Sequence, residues 1–140
     1  MNRREWMALG AASCSPFTWV SALAQTPLED RISPDEARRL HLAGSAVLID
    51  IREPEEHAVG VAPGARLLPM SQLSQRLREI PVDPKVPVLL ICRTQNRSSA
   101  TLRALRKQLG EQNYAHVRFV QGGMSEWAQR GWPLVPPAKP

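Results

Sequence analysis

Short, mainly apolar runs alternate along this chain with segments whose apolar residues recur every three or four positions. Ala46–Ile49, Ala65–Leu68, Val86–Ile91 and His116–Val120 are each four to six residues long and bounded by turn formers. Each is read as a strand, and the continuous run Ala46–Ile49 as one buried on both faces. Val86–Ile91 is the strongest of them, since Pro87 stands near its beginning, where a missing N–H is tolerated. Between them lie helical patterns. Ser33 reads as an N-cap with Pro34 at the first helical position and Glu36 at the capping-box position; Ala37, Leu40 and Ala43 follow as an apolar stripe and Gly44 ends it. Ser71–Ile80 carries Leu73, Leu77 and Ile80 and stops at Pro81. Ser98–Leu109 carries Leu102, Leu105 and Leu109 and stops at Gly110. After the turn Gly122-Gly123 a last helix is predicted over Met124–Arg130, closed by Gly131. Strands alternating with helices predict an α/β domain, its sheet mainly parallel and flanked by helices on both faces. Ligands of such sheets gather at the carboxyl ends of the strands.

The chain has 140 residues, 43% of them hydrophobic, which suits one domain with a real core. Thirteen prolines and eight glycines, spread rather than clustered, imply many short connections. The formal charge is +5, but its cations are interspersed with acids, as at Asp50, Arg52 and Glu53. Without a basic tract or an aromatic stacking motif, nucleic acid is not an expected partner, and the basicity better suits small anions.

The opening residues read as an export signal rather than as fold. Met1–Gln25 has a charged start, a weakly apolar middle and the small-x-small sequence Ala22-Leu23-Ala24. Residues 1–24 are expected to be removed by cleavage after Ala24, leaving residues 25–140 as a single domain outside the cytoplasm, periplasmic or otherwise exported. Arg3-Arg4, with Glu5, Trp6 and Met7 behind them, resembles a twin-arginine motif, although Asn2 and Trp6 depart from it, and an ordinary secretory n-region carrying two arginines is the alternative. No stable membrane anchor is expected, because Ser13, Ser15, Pro16 and Thr18 interrupt an apolar run already shorter than the roughly 20 residues a spanning helix needs.

Removal of the signal would remove Cys14 and leave Cys92 alone, so no internal disulfide is available to the mature chain. Nor is a metal site expected, for no second cysteine or histidine pair stands at ligand spacing. Cys92 is then either a small buried hydrophobe or a reactive thiol. It directly follows the strongest strand, six positions before the expected start of a helix whose first N–H groups are unpaired and attract anions. Arg93 and Arg97 add permanent positive charge. All three features favour thiolate over thiol.

The loop Cys92–Ser98, CRTQNRS, resembles the active-site loop of the rhodanese sulfurtransferases. IDIREPEEH (Ile49–His57) is similar to that family's acidic-arginine segment, GVAPGA (Gly60–Ala65) to its glycine-proline turn, and QGGMSEW (Gln121–Trp127) to its closing turn and helix. The resemblance implies the rhodanese-like fold and a persulfide cycle. Cys92 would take a sulfane sulfur from a donor such as thiosulfate and pass it to a thiophilic acceptor, cyanide or a thiol, with neither metal nor organic cofactor. It implies small sulfur-containing anions as ligands and a thiol or protein as a candidate acceptor. The N–H groups of Arg93, Thr94, Gln95, Asn96 and Arg97 would cradle the persulfide, with the two guanidinium groups attracting the anionic donor. Ser98, Asp50 and Arg52 are assigned supporting places, Asp50 orienting Arg97 or another loop donor, or else pairing with Arg52.

Two other functions remain beside this one. A sulfur carrier of the same fold would be charged by a partner protein rather than turn over. A phosphatase or arsenate reductase would use a related loop, but with five residues between cysteine and arginine rather than the four found here. Gln95 stands where many family loops have glycine: if that position needs positive φ the loop is strained or reshaped, and otherwise Gln95 is simply tolerated. Val61-Ala62 replaces a frequent His-Ile. His41, His57 and His116 are read as surface or packing residues, and Trp127 with Trp132 as completing the core rather than lining a pocket.

Overall fold

A computed structural model describes residues 30–138. The expected signal at 1–24, its cleavage bond and Cys14 lie outside the described residues. Within them the regular elements run β1 (Arg31–Ile32), α1 (Pro34–Leu42), β2 (Val47–Asp50), α2 (Pro54–His57), β3 (Arg66–Leu67), β4 (Val88–Ile91), α3 (Asn96–Leu109), β5 (Val117–Val120) and α4 (Gly123–Gln129). The strands form one sheet in the order β1-β5-β4-β2-β3, and each of these pairings is parallel. This is the α/β architecture the apolar runs predict. Among the described residues no helix is long and apolar enough to cross a membrane.

β4 is the centre of the sheet, and all four of its residues are buried because both faces are covered. On one face Val88 and Leu90 join Ile49, Leu102, Leu105 and Tyr114 in a cluster that α3 closes. On the other face Leu89 and Ile91 join Leu48, Ala37, Met124 and Trp127 beneath α1 and α4. Adjacent residues of one strand thus feed opposite cores, which is why β4 reads as a continuous apolar run.

The start of α1 follows its sequence signals: Ser33 Oγ accepts from the Glu36 N–H at 3.2 Å, with Pro34 at the first position. Trp127 and Trp132 meet edge to face at 5.0 Å, and Trp127 is buried with its indole N–H donating to the Pro133 carbonyl, so this pair does complete a core.

Several elements differ from expectation. Ser71–Ile80 is not one helix but two 3-10 turns, Met70–Gln75 and Leu77–Glu79, broken at Arg76. Pro69 and Pro81 leave little length between them, the serines favour turns, and the Arg76 side chain fixes the break by bonding Gln72, Glu79 and the Leu67 carbonyl. α3 starts at Asn96, two residues before the expected Ser98, which places Arg97 in its first turn. β1 and α2 have no counterpart in the apolar pattern, being too short to show a period. What starts α2 is polar instead: Glu53 and Glu56 close a capping box around it.

Candidate active site

The register of β2 against β4 sets Asp50 opposite Ile91, and the ladder continues one step as the Ile51 N–H bonds the Ile91 carbonyl at 3.0 Å. Cys92 therefore leaves the sheet at the carboxyl end of its central strand. The chain turns at once into α3, so residues 92–97 close a short loop against the N-terminus of that helix.

Cys92 is 1% exposed. Its sulfur faces the helix rather than only the apolar cluster: Sγ lies 3.4 Å from the Ser98 N–H, which donates to it, and 3.4 Å from Ser98 Oγ. That N–H is one of the donors a helix start leaves unpaired. Cys92 is thus packed in the core with its sulfur on a helix terminus. Among the described residues, none of the N–H groups from Arg93 to Arg97 donates to a protein atom.

The loop carbonyls are held from outside. The Met124 N–H donates to the Cys92 carbonyl at 2.8 Å and the Ser125 N–H to the Arg93 carbonyl at 2.9 Å. These donors are the first turn of α4, so one helix terminus binds the loop's oxygens while another faces its sulfur. The approach is close enough that only glycine fits at 123: a Cβ there would stand 2.2 Å from the Thr94 carbonyl oxygen and 2.3 Å from that of Cys92. The sequence marks Gly122-Gly123 as a turn but does not reveal this contact; the glycine pair at a helix start is its only sign.

Gln95 has φ −160°, extended backbone open to any residue, so the reading of a strained loop is set aside. Its side chain turns back to accept from the Gly122 N–H at 3.2 Å, tying the loop to the same turn. Thr94 and Asn96 are exposed, as is Arg93, which makes no ion pair among the described residues.

Arg97 corrects one expectation. Its guanidinium is held by Glu56, not Asp50, through bonds of 2.8 and 2.6 Å to the two carboxylate oxygens. This Arg97 fork pulls the Glu56 carboxyl down to about 2, with the Glu53 N–H helping. Glu56 in turn raises Arg97. Asp50 pairs instead with Arg52, whose Nη2 donates to it at 2.7 Å, and Arg52 also donates to the carbonyls of Gly60 and Glu56. Asp50 and Arg52 are both buried and brace α2, so they support Arg97 only through Glu56. Buried His57 packs beside them, Nε2 3.3 Å from Asp50 Oδ1 but without hydrogen-bond geometry. Glu56 is not among the expected site residues, because the short helix that presents it has no apolar periodicity to reveal it. A cleft of about 390 Å³ opens beside the loop, lined by Arg52, Glu56, Val59, Arg93, Met124 and Leu134 among others.

A cysteine at the end of a central parallel strand, its sulfur on a helix N-terminus and its loop N–H groups free, defines a class of site suited to anions and to chemistry on sulfur. The chain belongs to the rhodanese-like domain family, whose profile matches residues 33–130. It is 37% identical over 101 residues to a sulfurtransferase of Allochromatium vinosum, covering 72% of this chain and 89% of that one. With a thiosulfate sulfurtransferase of Pseudomonas putida it shares 33% identity over 97 residues, 69% of this chain and 83% of the other. Among solved structures, the human single-domain sulfurtransferase superposes with a TM-score of 0.60 at 26% identity, covering 72% of this chain and 96% of that one. Sulfur transfer is therefore the chemistry of the family in which this site stands.

Proposed function

We propose that the protein is a sulfurtransferase in which Cys92 carries the sulfur. With thiosulfate as donor, the thiolate attacks the outer sulfur; a Cys92–sulfur bond forms, the donor's sulfur–sulfur bond breaks, and its electron pair leaves with sulfite. An acceptor such as cyanide or a thiolate then attacks the outer sulfur of the persulfide and regenerates the Cys92 thiolate. The observation that carries this reading is the Ser98 N–H aimed at Sγ from the start of α3. The Ser98 hydroxyl adds to it. It bonds the Gln95 carbonyl at 3.1 Å beside the thiol, and its single proton can turn to the sulfur once that sulfur is ionised. The N–H groups of residues 93–97 are suited to hold the terminal sulfur of the persulfide, and exposed Arg93 to receive the anionic donor.

The test is mass analysis of the Cys92 peptide after exposure to thiosulfate. One added sulfur is expected, removable by cyanide or reductant and absent in Cys92→Ser; an unmodified peptide across several sulfane donors overturns the proposal. The coverage of Cys92 supports a second reading, a carrier charged only by a partner protein. Cyanide-dependent turnover with thiosulfate excludes the carrier, whereas aryl phosphate hydrolysis dependent on Cys92 would mark phosphatase chemistry instead. For location we propose export through residues 1–24, which predicts a mature N-terminus at Gln25 in the periplasmic fraction.

A further inference from the structure

Three arginines surround the loop, but they do not contribute equally. Arg52 is neutralised by Asp50 and Arg97 by Glu56, whereas Arg93 has no carboxylate partner among the described residues. The Glu56 side chain is 30% exposed and lines the cleft beside the loop, so its charge faces whatever enters. Val59, Met124 and Leu134 give the same cleft an apolar wall, with Val59 83% and Leu134 42% exposed.

The number of charges matters to the step. Attack of a thiolate on thiosulfate gathers three negative charges, which end as one on the persulfide and two on sulfite. Attack on an organic thiosulfonate gathers only two, which end as one on the persulfide and one on the sulfinate. Resting on the sulfurtransferase reading, we propose that Glu56 sets the donor charge this site accepts: by closing Arg97 in an ion pair it leaves Arg93 to meet the donor, favouring monoanionic organic sulfane donors over the thiosulfate dianion. The apolar wall suits the carbon body of such a donor.

The probes are benzenethiosulfonate and thiosulfate. Each kcat/KM is divided by the rate of the same donor with a free cysteine thiolate, which removes their difference in intrinsic reactivity. In the wild type the corrected ratio is expected to favour benzenethiosulfonate. E56Q frees the Arg97 charge and should raise kcat/KM for thiosulfate roughly tenfold at low salt, with a smaller gain for benzenethiosulfonate and a loss of the effect at high salt. E56Q/R97Q, with neither charge, should return the ratio to within about threefold of the wild type, an outcome that general loosening of α2 would not give. A wild-type ratio favouring thiosulfate, or an E56Q ratio unchanged while sulfuration of Cys92 proceeds, overturns the role of Glu56 and leaves the sulfurtransferase standing. Sulfuration by neither donor overturns both.

Discussion

Gly123→Ala tests whether the start of α4 holds the loop in shape. Gly123 has φ +57°, and the added Cβ would meet two carbonyl oxygens at 2.2 and 2.3 Å and the Arg93 carbonyl carbon at 2.8 Å. All three are backbone atoms, so no side chain can swing away. Relieving the clash requires the helix start and the loop to part by about 1 Å. That displacement puts at risk the bonds from Met124 and Ser125 to the carbonyls of Cys92 and Arg93, worth about 0.5–1.5 kcal/mol each. The left-handed backbone adds about 1 kcal/mol for any residue with a Cβ.

The expected loss is therefore about 2–4 kcal/mol, or roughly 10–20 °C in Tm for a domain of this size. Gly131→Ala is the control. It has φ +69° with nothing within 4 Å of the added Cβ, so only the backbone cost of about 1 kcal/mol applies. Thermal unfolding followed by circular dichroism compares the two. Sulfuration of Cys92, measured by mass, should fall about a hundredfold in Gly123→Ala below its melting range, as a misplacement of about 1 Å implies. If Gly123→Ala melts no lower than Gly131→Ala and is sulfurated at an undiminished rate, the close approach does not shape the loop.

Ser98→Ala keeps the N–H that donates to Sγ but removes the hydroxyl, and should slow sulfuration about tenfold in single-turnover mass measurements. Because Glu56 is held at about 2 against an ordinary 4.5, its pairing stabilises the fold above pH 4.5, and that stability is lost as pH falls toward 2. Urea titrations should accordingly show the gap between wild type and E56Q narrowing over that window. N-ethylmaleimide should alkylate Cys92 at least about a hundredfold more slowly in the native protein than in urea, since the residue is only 1% exposed.

The central strand was legible because a strand covered on both faces must be apolar throughout, and Val88–Ile91 is covered on both faces. The place of Cys92 followed from the end of that run. Glu56 was not legible in the same way. Its role depends on α2, four residues long, being carried back across the mouth of the loop to meet Arg97, 41 positions further on. Asp50 attracts the assignment instead because it ends a recognisable strand, but its position beneath the surface gives it to Arg52. Similarly, Gln95 looks like a departure needing explanation, whereas its backbone is ordinary and its side chain bonds Gly122.

Shape and charge at this loop come from different parts of the chain. Its shape depends on β4, α3 and the start of α4, which together fix the carbonyls of Cys92 and Arg93 and aim Ser98 at the sulfur. Its charge depends on α2, where one carboxylate both closes a capping box with Glu53 and holds Arg97. A substitution in α4 should therefore slow every donor alike, whereas one at Glu56 should shift the ratio between donors of different charge. That separation is physical: carbonyl and N–H positions act on any sulfur that enters, but a fixed charge acts in proportion to the charge the donor carries.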